Sequence, residues 1–594
     1  MRSQLKLMAS AALCAVLATA CVTSEEPTEE AAEAQPFIDP VVLANSRCGP
    51  GDKPLLATPS GADLNELAAG FDFDTPFALP DDVVDHFHYP ISTDSDAAQH
   101  WFDTGLAHMA NFNHDEAIAA FRQAQTEDPA CAICYWGEGL SFGSNINAPF
   151  EAPRGAAGRM ATDAALELID GASETEAALI TALDTRYSMT EAGVVENADA
   201  FADAMEVVSR AMPADKLVLA LAAESNMDTQ PWNYWEAGAR APYGRTARTL
   251  ELLETALQID PEFAPAIHLY IHITEASVDP FRAEAYADRL HARQLGVGHL
   301  LHMPSHTYLR LGKWRKTHEA NIAAIAADEA YIAGSENADF YAAVYYPHNV
   351  HFVVASSQMA GNGTTALDMS SKLPEATSLD PAGPAPFAEH IAAADHFTKL
   401  LFADDAAVLA MPEPAEAHLY LQMARHYARG VVYARQGDLD QAKQESAKLS
   451  ALAENPIMQQ YAAMGIPLPE THLVADLTLK GKIEAASGDL KAAIKLLDEA
   501  ADRHAQIPYF EPTWWYYPTR QTLGAYLLMD GQYDRAEREF FRTLIYAPNN
   551  AYALYGLAET FEAQGDDASE AYARKLFDEA WMGETGKTPE LSDL

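Results

Sequence analysis

The chain contains few basic residues for its length. Its 594 residues include 39 Lys and Arg against 86 Asp and Glu, which gives a formal net charge of −47 at pH 7. A surface this acidic repels phosphate backbones and anionic lipid headgroups. We therefore expect no nucleic-acid partner and no polybasic membrane contact, and we expect the surface to attract cations.

Long apolar runs are also scarce, and the one at the N-terminus is short. A basic start, Met1-Arg-Ser-Gln-Leu-Lys6, precedes apolar residues from Leu7 to Ala20 and then Cys21. The run is too short to span a bilayer and is typical of a bacterial lipoprotein signal. It predicts a signal peptide over residues 1–20, acylation of Cys21, and export to a membrane-anchored position that faces the periplasm or the cell surface. Plain secretion is the alternative.

Cysteine is rare, with five residues in the whole chain. Cleavage before Cys21 leaves Cys21, Cys48, Cys131 and Cys134, and the last two follow Asp128-Pro129 at the predicted start of a helix. Since export favours oxidation of neighbouring thiols, we predict a Cys131–Cys134 disulfide. Pairing of Cys48 with either one is the alternative. A redox role is disfavoured because no thioredoxin-like βαβ pattern surrounds the pair.

Alternating β-branched residues are missing as well, which predicts an all-α chain. Six residues fall at the offsets of the tetratricopeptide repeat (TPR): Trp101, Gly105, Ala117, Phe121, Ala124 and Pro129. A second good match lies near the C-terminus, at Gly524, Tyr533, Ala536, Phe540 and Pro548. The sequence therefore predicts a TPR-type helical-repeat solenoid, in which each pair of helices packs on the next.

Composition divides the chain into four parts after the signal. Residues 21–80 form an acidic tether and N-terminal extension without apolar periodicity. Residues 81–361 form an N-terminal TPR-like half, and residues 388–594 form a C-terminal TPR half. Between them, the proline-rich segment 362–387 is the predicted linker.

Histidines occur in two related pairs, His268 with His272 and His302 with His306. Within each pair, a spacing of four places both imidazoles on one helical face. The pairs are offset by 34 residues, the length of one TPR, so they occupy equivalent positions on neighbouring helices. Such helices lie about 8–10 Å apart, a gap that facing side chains can bridge. Four imidazoles are thus predicted to converge on a metal ion.

Further ligands flank these pairs. Glu275 and His299 extend the same faces, and His348 with His351 would extend the site to a second ion. Pro304 removes a backbone donor and is predicted to kink or start a helix between His302 and His306. A nitrogen-rich set favours zinc, copper or iron over calcium and magnesium. The alternatives are buried structural histidines, or a role in proton transfer or in binding an organic ligand.

Signatures of known catalytic sites are absent from the sequence. It has no Ser-His-Asp signature, no Gly-rich phosphate loop and no His-Glu-x-x-His order. Glu275 beside a metal-bound water is a candidate general base, and a redox-active copper or iron would equally allow oxidation of a small molecule. The sequence does not decide whether the protein is an enzyme.

Two further groups of residues are weaker candidates for a functional site. Three histidines surround the first repeat, at His100, His108 and His114, and capping explains the Asn113-His114 turn. Aromatic clusters occur at Trp232, Trp235, Trp514, Trp515, Tyr516 and Tyr517. We predict that these rings pack between helices, and a stacking surface for a ligand in the concave groove is the alternative.

Five segments together resemble a group of exported bacterial TPR proteins. They are Phe112-Asn-His-Asp-Glu-Ala117, Asp128-Pro-Ala-Cys-Ala-Ile-Cys-Tyr-Trp-Gly137, Pro231-Trp-Asn-Tyr-Trp235, Gly298-His-Leu-Leu-His-Met-Pro-Ser-His-Thr-Tyr308 and Glu511-Pro-Thr-Trp-Trp-Tyr-Tyr517. The resemblance covers most of residues 95–565. It implies a helical fold and a shared histidine-rich region, and it implies no particular reaction.

Two hypotheses about function follow from these patterns. In the first, an exported, lipid-anchored TPR protein holds a transition metal on His and Glu side chains of adjacent repeats, and the enzymatic version of this hypothesis has the metal act on a small molecule. In the second, the protein is a metal-free scaffold that binds a protein or peptide partner of the cell envelope along its concave groove.

Overall fold

A computed structural model describes residues 73, 75–191, 193–236, 238–335, 337–377, 379–380 and 385–594. The predicted signal peptide, Cys21, Cys48 and most of the predicted tether lie outside this part of the chain. Almost all regular structure is α-helical, which confirms the predicted fold class. The helices before the predicted linker are α1 (Asp81–Val84), α2 (Asp96–Ala110), α3 (His114–Glu127), α4 (Ala132–Ser141), α5 (Ala152–Glu167), α6 (Glu174–Asp184), α7 (Ala198–Ala211), α8 (Lys216–Asp228), α9 (Thr246–Ile259), α10 (Ala264–Glu275), α11 (Glu284–Arg293), α12 (Gly298–His302), α13 (Pro304–Arg310), α14 (Trp314–Gly334) and α15 (Asp339–Ala360).

The helices continue without a change of type to the C-terminus. They are α16 (Gly363–Ser370), α17 (Leu373–Ala376), α18 (Pro386–Phe402), α19 (Asp405–Leu409), α20 (Leu419–Arg435), α21 (Leu439–Ala451), α22 (Pro456–Ala463), α23 (Leu468–Ala486), α24 (Leu490–His504), α25 (Thr519–Met529), α26 (Tyr533–Tyr546), α27 (Ala551–Gln564) and α28 (Asp567–Ala580). Single 3₁₀ turns occur at Asp85–Phe87, Ile169–Gly171, Pro280–Ala283, Leu452–Glu454 and Leu591–Asp593.

The repeat pattern has a direct steric cause in the packing of Phe121. This ring is fully buried and lies between Gly105 of α2 and Gly137 of α4. A Cβ atom on either glycine would approach the ring to 2.5 Å or 2.6 Å, which is closer than atoms can pack. Near the C-terminus, Phe540 lies in the same way between Gly524 and Gly556. The glycines of the pattern therefore allow three successive helices to close around one aromatic ring.

One hairpin interrupts the helical order. Strands β1 (Tyr187–Thr190) and β2 (Gly193–Glu196) pair antiparallel, with Tyr187 opposite Glu196. Each strand has only four residues, which is too short for a pattern of alternating β-branched residues to reveal it. Arg186, just before β1, donates a hydrogen bond from Nε to Glu196 Oε1 at 2.7 Å. The hairpin thereby fixes the position of a buried guanidinium.

The predicted linker, residues 362–387, contains helices α16 and α17. Leu373 of α17 is fully buried and packs in a small core with Val350, Val353 and Ala394, so apolar packing continues across this segment. In the described part of the chain, no helix combines the length and the apolar character that crossing a bilayer requires.

Cys131 and Cys134 lie at the start of α4, where their sulfur atoms are bonded to each other. Both residues are buried. The aromatic cluster near the C-terminus is a core: Trp514 and Trp515 are each 1% exposed, and the ring of Tyr516 stacks on that of Phe397 at 4.1 Å. These rings pack between helices, as we predicted for them.

Candidate metal centre

Helices α10, α12 and α13 carry the histidine pairs. Helix α10 has Pro265 in its first turn, and His268, His272 and Glu275 are all buried on it. The second pair is divided, because α12 ends at His302 and Pro304 begins α13. Gly298 starts α12 close to α14, where a Cβ atom would lie 1.7 Å from the carboxylate of Asp328. The glycine of the second motif therefore lets α12 approach α14 closely.

One cluster of imidazoles, the first triad, consists of His268, His272 and His299. Ring nitrogens of all three lie within 4.8 Å of one another. His268 donates from Nδ1 to the carbonyl oxygen of Ala110 at 2.8 Å, which leaves a lone pair on its Nε2. That Nε2 lies 3.1 Å from Nε2 of His299. Nε2 of His272 is buried without a hydrogen-bond partner.

A second cluster, the second triad, consists of His302, His306 and His348. The side-chain amide of Asn321 donates to the carbonyl of Thr317, so its oxygen faces His302 and accepts a hydrogen bond from Nδ1 at 2.6 Å. Nε2 of His302 then points at Nε2 of His306, 2.7 Å away. The imidazole of His348 lies 4.8 Å from that of His302 between ring centroids.

Glu275 lies between the two triads. Its Oε1 accepts a hydrogen bond from Nδ1 of His272 at 3.0 Å, and its Oε2 accepts one from Nδ1 of His306 at 2.6 Å. Glu511, from the segment between α24 and α25, also accepts a hydrogen bond from Nδ1 of His306. These two carboxyl groups bond to Nδ1 of an imidazole and leave Nε2 on the other side of the ring for an ion. Outer-shell groups hold metal-ligating histidines in this way.

Burial sets the protonation of most of these imidazoles. It lowers the pKa of His268, His299 and His302 well below the usual value, and neighbouring imidazoles lower it further. Burial likewise lowers the pKa of His272, and that of His348 to about 3. These five rings are therefore neutral at physiological pH, the form that binds metal ions.

His306 differs in its charge. Burial alone would lower its pKa, but the charge of Glu275 and the hydrogen bonds to Glu275 and Glu511 outweigh burial and raise it to about 10. Burial would raise the pKa of Glu275, yet the charge of His306 and hydrogen bonds hold it well below its usual value. For Glu511, burial and the charge of Glu275 raise the pKa well above the usual range. A proton on Nε2 of His306 thus occupies the place between His302 and His306 that a cation would take.

A phenylalanine ring covers each triad. Phe112 contacts all three imidazoles of the first triad, with ring centroids 4.3 Å from His268, 6.0 Å from His272 and 5.4 Å from His299. Phe352 does the same for the second triad at 4.7–4.9 Å. Phe112 has a positive φ of 55°, a conformation that only a few per cent of non-glycine residues adopt. Trp232, with φ of 61°, contacts His272 at 5.1 Å.

The structure groups the predicted site residues differently from the sequence pattern. The 34-residue offset predicted one site of four imidazoles, whereas the two pairs belong to separate triads completed by His299 and His348. His351 belongs to neither triad, because its ring packs on that of His390 at 5.1 Å. Glu275, predicted as a ligand and a general base, has both oxygens engaged by imidazoles.

Sequence reasoning missed three groups that hold the imidazoles in place: the Ala110 carbonyl, Asn321 and Glu511. Glu511 begins the motif Glu511-Pro-Thr-Trp-Trp-Tyr-Tyr517, and this acidic residue before a proline was the only signal available for any of them.

The weaker group of histidines around the first repeat forms no cluster in the structure. His108 is buried and hydrogen-bonds through Nε2 to the carbonyl of Phe77 at 2.9 Å. The capping explanation for the Asn113-His114 turn is wrong, because the Asn113 side chain makes no capping hydrogen bond. His114 instead lies 3.4 Å from the side-chain amide of Asn145.

Comparison with known proteins agrees with the helical-repeat fold. Residues 83–130 and 522–581 match the family model described as tetratricopeptide repeat. No curated protein matches the chain. Among solved structures, the human IFIT1 dimer with m7Gppp-AAAA is 11% identical at a TM-score of 0.29, covering 85% of this chain and 95% of that one. Yeast Tom70 is 13% identical at a TM-score of 0.25, covering 81% and 91%.

At such scores these two structures carry no inference about what the chain binds. The two matches to the family model include Phe121 with Gly105 and Phe540 with Gly524 and Gly556, and they confirm the repeats predicted there. The chain therefore contains tetratricopeptide repeats near both ends of its described part.

Proposed function

We propose that this chain is a TPR protein whose N-terminal half holds two transition-metal ions, one in each histidine triad. The observation that carries the proposal is that the Nδ1 atoms of four imidazoles each donate a hydrogen bond to a group outside the triads. In His268, His272, His302 and His306, Nδ1 donates to a carbonyl, an amide oxygen or a carboxylate. Metal-ligating histidines are held in this way, with the other nitrogen directed at the ion.

The spacing of the inner nitrogens supports the same conclusion. In a tetrahedral site with bonds of 2.0–2.1 Å, two ligand nitrogens lie about 3.3–3.4 Å apart. The Nε2 atoms of His268 and His299 are 3.1 Å apart. Since Nε2 of His268 carries a lone pair, a cation or a proton must lie between them.

The chemistry of the donors selects the class of ion. The first triad offers three neutral nitrogens, and in the second Nε2 of His306 becomes the third when an ion displaces its proton; such a set suits zinc, copper or iron. Three protein ligands leave coordination positions open, as in metal sites that bind water or substrate. Catalysis by Glu275 would require an oxygen that faces such a position, and here both of its oxygens accept hydrogen bonds from imidazoles. The proposal is therefore a metal-binding function, with Glu275 as an outer-shell residue.

Metal analysis of the purified, tag-free mature protein tests the proposal. We expect close to two equivalents of a transition metal, and we expect the His272→Ala/His306→Ala double variant to lose metal from both triads. A chelator should lower the melting temperature of the native protein and leave that of the variant unchanged, because metal bound only to the folded state stabilises it. His108→Ala is the matched control, since His108 is equally buried but lies outside the triads.

Background metal content in a folded native protein would contradict the proposal. So would a folded double variant that keeps its full metal content. The first outcome would favour the rival function, a metal-free TPR scaffold that binds a protein or peptide partner along its concave face.

We further propose that the protein is exported and anchored in a bacterial membrane through Cys21, which lies outside the described residues. The short apolar run ending at Cys21 and the acidic stretch after it support this. Replacing Cys21 with Ser should release the protein from the membrane fraction. Unchanged membrane fractionation of that variant would remove the basis for the anchor.

A further inference from the structure

Imidazoles of different triads lie as close to each other as imidazoles of the same triad. Ring centroids are 5.4 Å apart for His272 and His306 and 5.8 Å apart for His299 and His302, and both pairs cross from one triad to the other. Within the triads, the same distance ranges from 4.6 Å to 6.1 Å. The six rings therefore form one continuous cluster.

These ring contacts limit the distance between two bound ions. An ion bonded to an imidazole nitrogen lies about 3.2 Å from the centroid of that ring. Ions bonded to His272 and His306 are therefore at most about 12 Å apart. Two copper(II) ions at such a distance broaden each other's lines in electron paramagnetic resonance, so a close pair can be distinguished from two isolated ions.

The metal-loaded cluster carries an excess of positive charge. Two divalent ions bring four positive charges. In the described part of the chain, the carboxyl groups that hydrogen-bond to the six rings are those of Glu275 and Glu511, which contribute at most two negative charges. Arg310 adds a further positive charge, and it donates to the carbonyl oxygens of Glu275 and Ser277 at 2.8 Å and 3.1 Å. Since a buried charge without a partner is costly, the loaded cluster should take up an anion.

The surroundings of the rings restrict the size of that anion. Five of the six imidazoles are at most 3% exposed, and His348 is partly exposed. Three protein nitrogens leave at least one coordination position open on each ion. The buried ring of Phe352 lies 4.9 Å from that of His348. A ligand of a few atoms can therefore reach an ion past His348, whereas a ligand with a ring of its own would have to displace Phe352.

We propose, on the basis of the metal-binding function above, that the two triads hold their ions as a close pair and that the loaded pair binds a small inorganic anion at its open coordination positions. The anion is compact and binds through one atom, and azide is a suitable probe of this class. Because His348 is the partly exposed imidazole, the anion enters at the second triad.

Electron paramagnetic resonance of the copper(II)-loaded mature protein tests the pairing. We expect two equivalents of copper, with lines that are broader and harder to saturate with microwave power than those of the His348→Ala variant, which keeps only the ion of the first triad. His108→Ala is the control and should keep the broadened lines, since this buried imidazole lies outside the triads. Two equivalents of copper with the narrow lines of the His348→Ala variant would overturn the pairing and leave the metal-binding function intact.

Azide titration of the same samples tests the class of ligand. Azide bound to copper(II) gives a charge-transfer absorption band, and competition with azide measures the binding of benzoate, which has the same charge and a ring. We expect azide to bind at least about tenfold more tightly than benzoate. Azide should bind about tenfold more weakly to the His348→Ala variant, because that variant lacks one ion and its two positive charges.

Equal affinities for azide and benzoate would overturn the small-anion ligand, and so would an unchanged azide affinity in folded His348→Ala protein. Either result in a native protein with two equivalents of copper would leave the proposed function standing. Copper at background level in the folded native protein would overturn both the anion site and the metal-binding function.

Discussion

Nδ1 of His306 lies 2.6 Å from Oε2 of Glu275, a residue 31 positions earlier in the chain and on another helix. The other oxygen of the same carboxylate accepts a hydrogen bond from His272 on its own helix. One buried carboxylate therefore orients an imidazole of each triad. Among the described residues, Glu275 is thus the one carboxylate whose two oxygens hold an imidazole of each site.

Glu275→Gln is expected to lower the affinity for metal about 10–100-fold, the usual cost of losing an outer-shell partner of a ligating histidine. The amide keeps one acceptor oxygen and replaces the other with a donor, so it cannot accept from both imidazoles. Competition with a chromophoric chelator measures this affinity. Glu445→Gln is the control, because Glu445 also accepts a hydrogen bond from a buried histidine, His426, away from both triads. Equal metal affinities in the two variants would contradict the role of Glu275.

The two triads are expected to lose metal separately. His299 belongs to the first triad and His348 to the second. His299→Ala and His348→Ala should each retain about one of two equivalents, while the double variant should retain none. Metal content by mass spectrometry, with melting curves to show that each variant folds, is the measurement. Loss of all metal from either single variant would indicate one shared centre instead of two.

Much of the fold follows from local sequence patterns. The repeat offsets around Trp101 and Gly524 predicted helix pairs, because each small residue faces a ring that needs its space. Spacings of three and four placed His268, His272 and Glu275 on one face of α10. These contacts lie within one helix or between neighbouring helices, so the spacing of residues in a repeat predicts them directly.

Contacts over long sequence distances could not be predicted in this way. Glu511 contacts His306 across 205 residues, and Ala110 contacts His268 across 158. The two pairs also group with His299 and His348 in separate triads, and the 34-residue offset did not predict these partners.

Stability at acidic pH is expected to depend on Glu445. Burial would raise its pKa, but hydrogen bonds from His426 and Arg429 and the charges of His426 and Lys448 outweigh burial and lower it to about 2. A carboxylate with a lowered folded pKa stabilises the protein above its unfolded pKa of about 4.3, and this contribution is lost as pH falls towards 2. Glu445→Gln should cost roughly 1.5–3 kcal/mol at pH 7. Urea unfolding at several pH values should show this difference shrinking between about pH 4.3 and pH 2, and a constant difference would contradict the assignment.

The Cys131–Cys134 disulfide is expected in the exported protein, since both residues are buried at the start of α4 with their sulfur atoms bonded. Thiol labelling of unreduced, denatured protein, followed by peptide mapping, should modify Cys48 and neither of these two. Labelling of both Cys131 and Cys134 would exclude the bond, and protection of Cys48 with only one of them would show the alternative pairing.

Because the bond closes a ring of only four residues, the Cys131→Ser/Cys134→Ser variant should lose only about 1–2 kcal/mol of folding free energy. A much larger loss would mean that the two side chains stabilise the repeat by packing, and the wild-type protein in reducing buffer would then unfold at nearly its oxidised midpoint.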